Sequence, residues 1–350
     1  MKILNIFFTL FGVVTVVFFL FKVLPGDPAR MMMDQNENDE QLKIINKKYG
    51  FDLPVFEQYL YYLNDLSIIS VHSNNEIDFN FLDDKKYKYI KLINTKSTSI
   101  VLKFPYLRES YQRRGVKVSS IIANTFPNTV VLAVSSIVIA IVIGLILGIF
   151  SALNKGSLLD NLIQVLSTLG MSVPSFFSAI IFAWIFGFVL SDITGLNMTG
   201  SLYELDDYGN KYQLKFKNLI LPSLVLGIRP IAVISMMMRN SLIEVLKKNY
   251  VIAAYAKGLS TFEVVYKHCI KNSLNPVVTA LSGWFASLLA GSVFVEYIFG
   301  WNGLGKEIVN SLNTLDVPVV IGSVLIVSFS FILINIFVDE IYKLLDPRIK

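Results

Sequence analysis

The sequence predicts an all-α polytopic membrane protein with six transmembrane helices and an enlarged external loop after the first. Three observations carry that reading. Of 350 residues, 54% are hydrophobic and only 16% charged, and mean hydropathy is positive, a balance foreign to a disordered chain or an ordinary soluble globule. Charge is missing from long windows of the length a bilayer demands, roughly 20 apolar residues per spanning helix. Those windows are continuous rather than short and alternating, which argues for helices with internally satisfied backbones and against a transmembrane barrel.

The first window, residues 3–21, lies between Lys2 and Lys22. Its apolar run exceeds a secretory signal core and no small-x-small cleavage site follows, so it reads as a mature helix. Leu24-Pro25-Gly26-Asp27-Pro28 stops it with two prolines and a glycine. Later windows lie between Lys117 and Lys155, Asp160 and Asp192, about Asn218 and Arg239 with Arg229 inside, Lys271 and Glu296, and Asp316 and Asp339. The predicted spans are about 3–24, 128–153, 162–190, 219–238, 275–298 and 318–342. The domain plan is therefore a first helix over 1–24, an extracytoplasmic insertion over 25–117 and a core over 118–350. Within the insertion, 36–62 reads as amphipathic helix and 85–104 as strand-like.

Orientation follows from basic residues in short loops. The 239–271 segment holds Arg239, Lys247, Lys248, Lys257, Lys267 and Lys271 against Glu244 and Glu263, and the tail holds Lys343, Arg348 and Lys350. Both are assigned to the cytoplasm, together with the N-terminus and the 154–160 turn. Lys211, Lys215 and Lys217 in the 191–217 loop disagree mildly but travel with four acidic residues.

Other chemistries lack their residues. A lone Cys269 excludes an internal disulfide, and His72, His268 and Cys269 are too few for a His/Cys metal cage. A net charge of +5 shows no concentrated patch for nucleic acid. Gly300-Trp301-Asn302-Gly303-Leu304-Gly305-Lys306-Glu307 nearly spells a phosphate-binding loop, but Glu307 stands where a magnesium-binding hydroxyl belongs, and the topology places the loop outside the cell. Gly144 and Gly148 have the spacing that lets two membrane helices touch. Asp339 and Glu340 read as a solvated helix end.

The most specific local pattern lies between the fourth and fifth spans. Leu242, Val245, Leu246 and Ala253 recur at helical spacing, and Ala253-Ala254 gives a small, smooth patch. Gly258 is placed to end that helix in a left-handed conformation. Ser260-Thr261-Phe262-Glu263 reads as a capping box opening a second helix to about Leu274. The result is a helical hairpin with a basic rim, suited either to an acidic partner groove or to lipid headgroups.

The residues Arg239 to Leu246, Tyr250, and Ala253-Ala254-Tyr255-Ala256-Lys257-Gly258-Leu259-Ser260 resemble the signature loop of ATP-binding-cassette importer permeases, most closely the oligopeptide/dipeptide/nickel branch. His268, Asn272 and Pro276, the Leu24–Pro28 exit, Gly156-Ser157 with Asp160, Ser172-Val173-Pro174-Ser175-Phe176, Trp301-Asn302-Gly303-Leu304-Gly305 and Leu345-Asp346-Pro347-Arg348-Ile349 extend the resemblance over roughly 1–30 and 115–350. Ile252 stands where the generic loop signature has glutamate. The resemblance implies a type I importer permease fold in a bacterial inner membrane, with no catalysis and no cofactor of its own, ATP being bound by partners. Those partners are two ATPase subunits, a second similar permease and an extracytoplasmic substrate-binding protein. It further implies ATPase coupling through Tyr250, Ala253, Ala254, Lys257 and Gly258. Arg229, a charge inside a membrane helix beside Pro230, is either a substrate-pathway residue or an arginine snorkelling to the outer surface. An ion-coupled secondary transporter would need intramembrane ionisable groups and repeats, of which only Arg229 is present. A membrane enzyme would need clustered acids, bases or nucleophiles. A membrane scaffold needs none of these.

Overall fold

The computed structural model describes residues 2–23, 26–33, 38–84, 86–206 and 208–345. Leu24 and Pro25 of the predicted helix exit and the terminal 346–350 lie outside the described residues, as do the side chains of Asp339 and Glu340. The chain divides into two compact units, Met1–Asn124 with Glu307–Ser328, and Thr125–Lys306 with Phe329–Lys350.

In the first unit, α1 (Lys2–Val23) is the first predicted span. Its Val14 and Phe18 are buried against Tyr59 and Tyr62 of α4 (Val55–Leu66) and against Ile321. Leu4, Phe7 and Phe8 on the same helix are exposed, a surface that lipid would cover. Between them, α2 (Pro28–Met31) is capped by Asp27, and α3 (Asp39–Tyr49) is capped by Asn38 and ends at left-handed Gly50. Residues 36–37 of the expected 36–62 helix lie outside the described residues, and the rest is two helices, because Gly50 and Pro54 interrupt it. The strand-like 85–104 stretch forms β2 (Tyr89–Asn94) and β3 (Thr98–Lys103), and β1 (Ile69–Ser73), absent from the sequence reading, joins them in an antiparallel sheet of order β1-β3-β2. Under it lies a polar knot. Asp65 is buried and accepts from Arg108 Nε at 2.7 Å and from Tyr87 Oη at 2.8 Å, while Lys103 Nζ donates to the Asp65 carbonyl. The Arg108 guanidinium also lies 4.7 Å from the Tyr62 ring centroid, so the cation is shared between carboxylate and aromatic face. Asp316 closes the unit, accepting from the Ser110 hydroxyl and from the Tyr111 N–H at 2.9 Å.

In chain order the remaining helices are α5 (Val118–Leu153), α6 (Leu158–Ser172), α7 (Ser175–Trp184), α8 (Ser191–Thr194), α9 (Lys217–Val245), α10 (Asn249–Ala256), α11 (Thr261–Val264), α12 (Ile270–Ser273), α13 (Asn275–Gly291), α14 (Val293–Phe299), α15 (Leu304–Asn313) and α16 (Val317–Leu345). A small hairpin, β4 (Tyr203–Leu205) with β5 (Tyr212–Leu214), precedes α9. Gly144 and Gly148 of α5 abut α9. A methyl on Gly144 would meet the Ile231 carbonyl at 3.0 Å, and one on Gly148 the Ser235 carbonyl at 2.7 Å. Their spacing therefore serves a contact inside this chain.

Among the described residues, four helices are long and apolar enough to cross a membrane: Leu4–Val23, α5, α9 and Val317–Phe337. They correspond to the first, second, fourth and sixth predicted spans. The other two differ from a straight helix. The predicted 162–190 span is α6 and α7 followed by a π-helical turn (Ile185–Val189), bent by 110° at Val173-Pro174. Proline drives the residue before it out of helical geometry, and Val173 sits at φ −76° and ψ 131°. The predicted 275–298 span breaks at Ser292 into α13 and α14. The second span begins at Val118, ten residues before the expected 128, because Pro127 is accommodated within the helix.

Candidate functional site

The hairpin between α9 and α13 has the predicted Gly258 stop and Ser260 cap, but its first arm is not the single helix expected through Leu242, Val245, Leu246 and Ala253, because α9 ends at Val245. Lys248 ends the preceding turn in extended conformation and α10 begins at Asn249. Gly258 sits at φ +81°, a left-handed conformation in which a β-carbon is strained. Ser260 then opens α11 with a complete capping box: its hydroxyl accepts from the Glu263 N–H at 3.4 Å, and Glu263 Oε2 accepts from the Ser260 N–H at 3.2 Å. Lys267 Nζ adds a donor 3.4 Å from Glu263 Oε1. The Ser260 N–H, then its hydroxyl, then Lys267 hold the Glu263 carboxyl below its ordinary range. A π-helical turn (Val265–Cys269) and α12 complete the second arm. The arms are tied by Asn272, whose Nδ2 donates to the Tyr250 hydroxyl at 2.9 Å.

Burial sorts the predicted residues into two groups. Tyr250, Ala253, Lys257 and Gly258 are exposed. Ala254 is buried with Leu242, Val245, Val251, Val264 and Cys269, so its small side chain sets how closely the arms pack. Two residues that the sequence reading passed over stand out. Phe262 and Tyr266 are 77% and 67% exposed, and their rings stack at 6.0 Å with an interplanar angle of 1°. The signal for them was an aromatic pair at i, i+4 directly after the cap. With Tyr250, Ile252 and Tyr255 they make the hairpin surface apolar and aromatic rather than merely basic.

A charged clasp fixes the hairpin's root. Arg239, near the end of α9, donates from Nε and Nη2 to the two oxygens of Asp160, each at 2.7 Å. Asp160 is 1% exposed and also accepts from the Ser151 hydroxyl, from the Gly156 N–H at 2.8 Å and from Gln164 Nε2 at 3.1 Å. A bidentate guanidinium–carboxylate pair with its other lone pairs satisfied is directional and stiff. It joins the turn between α5 and α6 to the base of the hairpin.

The phosphate-loop look-alike has its own anion. Glu296 on α14 is fully buried, and its Oε2 accepts the N–H groups of Gly305 at 2.6 Å and Lys306 at 3.2 Å, while Ser292 donates to Oε1 at 2.9 Å. Trp301 Nε1 and the Leu304 N–H anchor the loop to Asn128 and Thr129 of α5. The backbone donors that would cradle a phosphate are engaged by a carboxylate of the same chain.

Arg229 lies on α9 against a cavity of about 60 Å³. Its Nη2 is 3.4 Å from the Val173 carbonyl at the α6–α7 bend, and its Nε is buried with no hydrogen-bond partner among the described residues. No group of three or more His, Cys, Asp or Glu residues that could hold a metal occurs among the described residues.

Comparison with known proteins agrees with this architecture. The chain is 32% identical to the di/tripeptide transport system permease protein DppB of Pseudomonas aeruginosa, over 98% of this chain and 95% of that protein. It is 31% identical to the dipeptide transport system permease protein DppB of Bacillus subtilis, over 98% and 94%. Among solved structures, the inward-facing MetNI methionine ABC transporter superposes with a TM-score of 0.51 at 16% identity, covering 65% of this chain and 97% of that one, which shows a shared fold. Residues 1–78 match the family described as the N-terminal part of binding-protein-dependent transport system membrane components. Residues 144–350 match the main family description, and the chain belongs to the binding-protein-dependent transport system inner membrane components, a family of transport permeases and not of enzymes.

Proposed function

We propose that this chain is one permease subunit of an ATP-binding-cassette importer for di- or oligopeptides. The observation that carries the reading is the hairpin: an exposed aromatic surface on a capped, cross-tied scaffold that continues from α9 and is clasped to the α5–α6 turn through Arg239 and Asp160. Such a part transmits a push without absorbing it. An ATPase that grips it differently in its ATP-bound and ATP-free states biases the permease between two conformations, which is what coupling physically requires. ATP is bound by two partner ATPases, and a second, similar permease completes the pathway. An extracytoplasmic binding protein delivers substrate. The peptide class rests on the names of relatives at about 30% identity.

In this reading the chain crosses a bacterial inner membrane six times, the bent α6–α7 pair and the broken α13–α14 pair each counting once. Both termini and the hairpin are cytoplasmic, and residues 25–117 form an external insertion. Tyr250, Ala253, Lys257 and Gly258 contact the ATPase together with Phe262 and Tyr266, Ala254 supports them from beneath, and Arg229 lines the substrate path.

Purification tests it. The full chain should bring down ATPase subunits, and Ala253→Glu, at an exposed position, should lose them while inserting normally. Unchanged ATPase docking and peptide uptake in that variant would remove the hairpin from the mechanism.

A further inference from the structure

We infer that Arg229 forms a carboxylate subsite inside the membrane domain, one that receives the C-terminal carboxylate of a peptide in transit. The inference rests on the peptide-transport reading and says where along the path the peptide's end is recognised. Four features meet at this place. An arginine stays charged wherever it sits, and one within a membrane helix is costly unless it has a partner or faces a polar cavity. Among the described residues Arg229 has neither a carboxylate partner nor a short hydrogen bond: its bond to the Val173 carbonyl is 3.4 Å long, and its buried Nε goes unused. Cation and cavity coincide, and no acidic side chain is among the described residues that line the space. A guanidinium with an idle edge is matched by a planar carboxylate, which takes two parallel N–H bonds.

The rest of the lining suits a peptide end rather than a bare inorganic anion. Ser175, Ser178 and Ser287 bring hydroxyls that donate or accept, and Trp284 brings an aromatic wall for a side chain. Leu226 also lines the space, and Pro230 has no N–H to offer its carbonyl in the helical register, leaving an acceptor for the last peptide N–H. About 60 Å³ accommodates a terminal carboxylate with its nearest polar atoms and not a whole peptide, so the remainder of the substrate lies outside the subsite. The bend at Val173-Pro174 forms one wall, so a change in that bend alters the carboxylate's seat.

The test uses the complete assembly of permeases and ATPases in nanodiscs, without the external receptor. Saturation-transfer NMR reads binding of Ala-Phe and of its C-terminal amide to wild type, Arg229→Gln and Arg229→Lys. Wild type should transfer to Ala-Phe several-fold more strongly than to the amide, Arg229→Gln should abolish that preference, and Arg229→Lys should retain part of it. In proteoliposomes with receptor, Arg229→Gln should lower Ala-Phe uptake about tenfold. Equal transfer to acid and amide in wild type, or an unchanged preference in Arg229→Gln, overturns the subsite. So does an equal fall for both probes, which marks a structural arginine. A wild-type assembly that binds the carboxylate selectively yet imports no peptide defeats the peptide reading and leaves the subsite standing.

Discussion

At the scale of single residues, what matters is where charge is placed and what answers it. Asp160 and Arg239 are each largely buried and answer one another bidentately. Asp160→Asn strands the guanidinium, and losing one partner of a buried pair costs about 3 kcal/mol or more. A clear fall in the thermal unfolding midpoint of the purified assembly is expected, and an unchanged midpoint would show that the clasp is ornamental. His72 in β1 behaves oppositely. Burial first, then the charge of Lys103, hold its imidazole below the ordinary histidine range, with Asp65 opposing. The folded-state pKa therefore lies below the unfolded one, and between the two the unfolded chain binds more protons. Stability is full above about pH 6.5 and declines as the pH falls from there toward the folded value. Thermal unfolding at pH 7.5 and 5.5 should show an acid loss that shrinks in His72→Phe; an identical loss in both proteins would rule His72 out as its source. Neither environment was legible in the sequence, because each is made by residues distant along the chain.

At the scale of elements, the hairpin was the most legible part. Gly258 and the Ser260–Glu263 box are local signals, complete within a few residues, and each takes its expected conformation. What the sequence could not show was which side each residue faces: Ala253 and Ala254 are neighbours, yet one is exposed and one buried. Gly258→Val forces a β-branched residue into left-handed geometry at about 1–2 kcal/mol and redirects the second arm, so peptide uptake should fall with membrane insertion intact. Phe262→Ala with Tyr266→Ala removes exposed rings, which leaves the unfolding midpoint unchanged and weakens ATPase retention on purification. A destabilised protein with full retention would reverse that assignment. The apolar windows were less informative about shape. Counting charge located the 162–190 and 275–298 stretches but was blind to the turn at Pro174, although the proline was in plain sight, and to the break at Ser292, which has no proline to announce it.

At the scale of the whole molecule, the absence of charge identified a membrane protein because lipid tolerates few alternatives. The stretch between the first two long helices was harder. β1 is five residues long and was overlooked, since short alternating strands carry little pattern of their own. Topology is open to direct measurement. In a Cys269→Ser background, an impermeant maleimide should label Asn94→Cys on intact cells and Lys257→Cys only after permeabilisation; the reverse pattern would invert the proposed orientation.

On the proposed function, this chain is a gate moved by a partner's ATP hydrolysis through the hairpin. The most direct measurement is Ala-Phe uptake into proteoliposomes holding receptor, permeases and ATPases, compared with the permeases alone and with the Phe262→Ala/Tyr266→Ala assembly. Uptake should require ATP and the ATPases, and should collapse in the double variant. Solute carriage by the permeases alone, or full ATP-driven uptake with both rings removed, would contradict it.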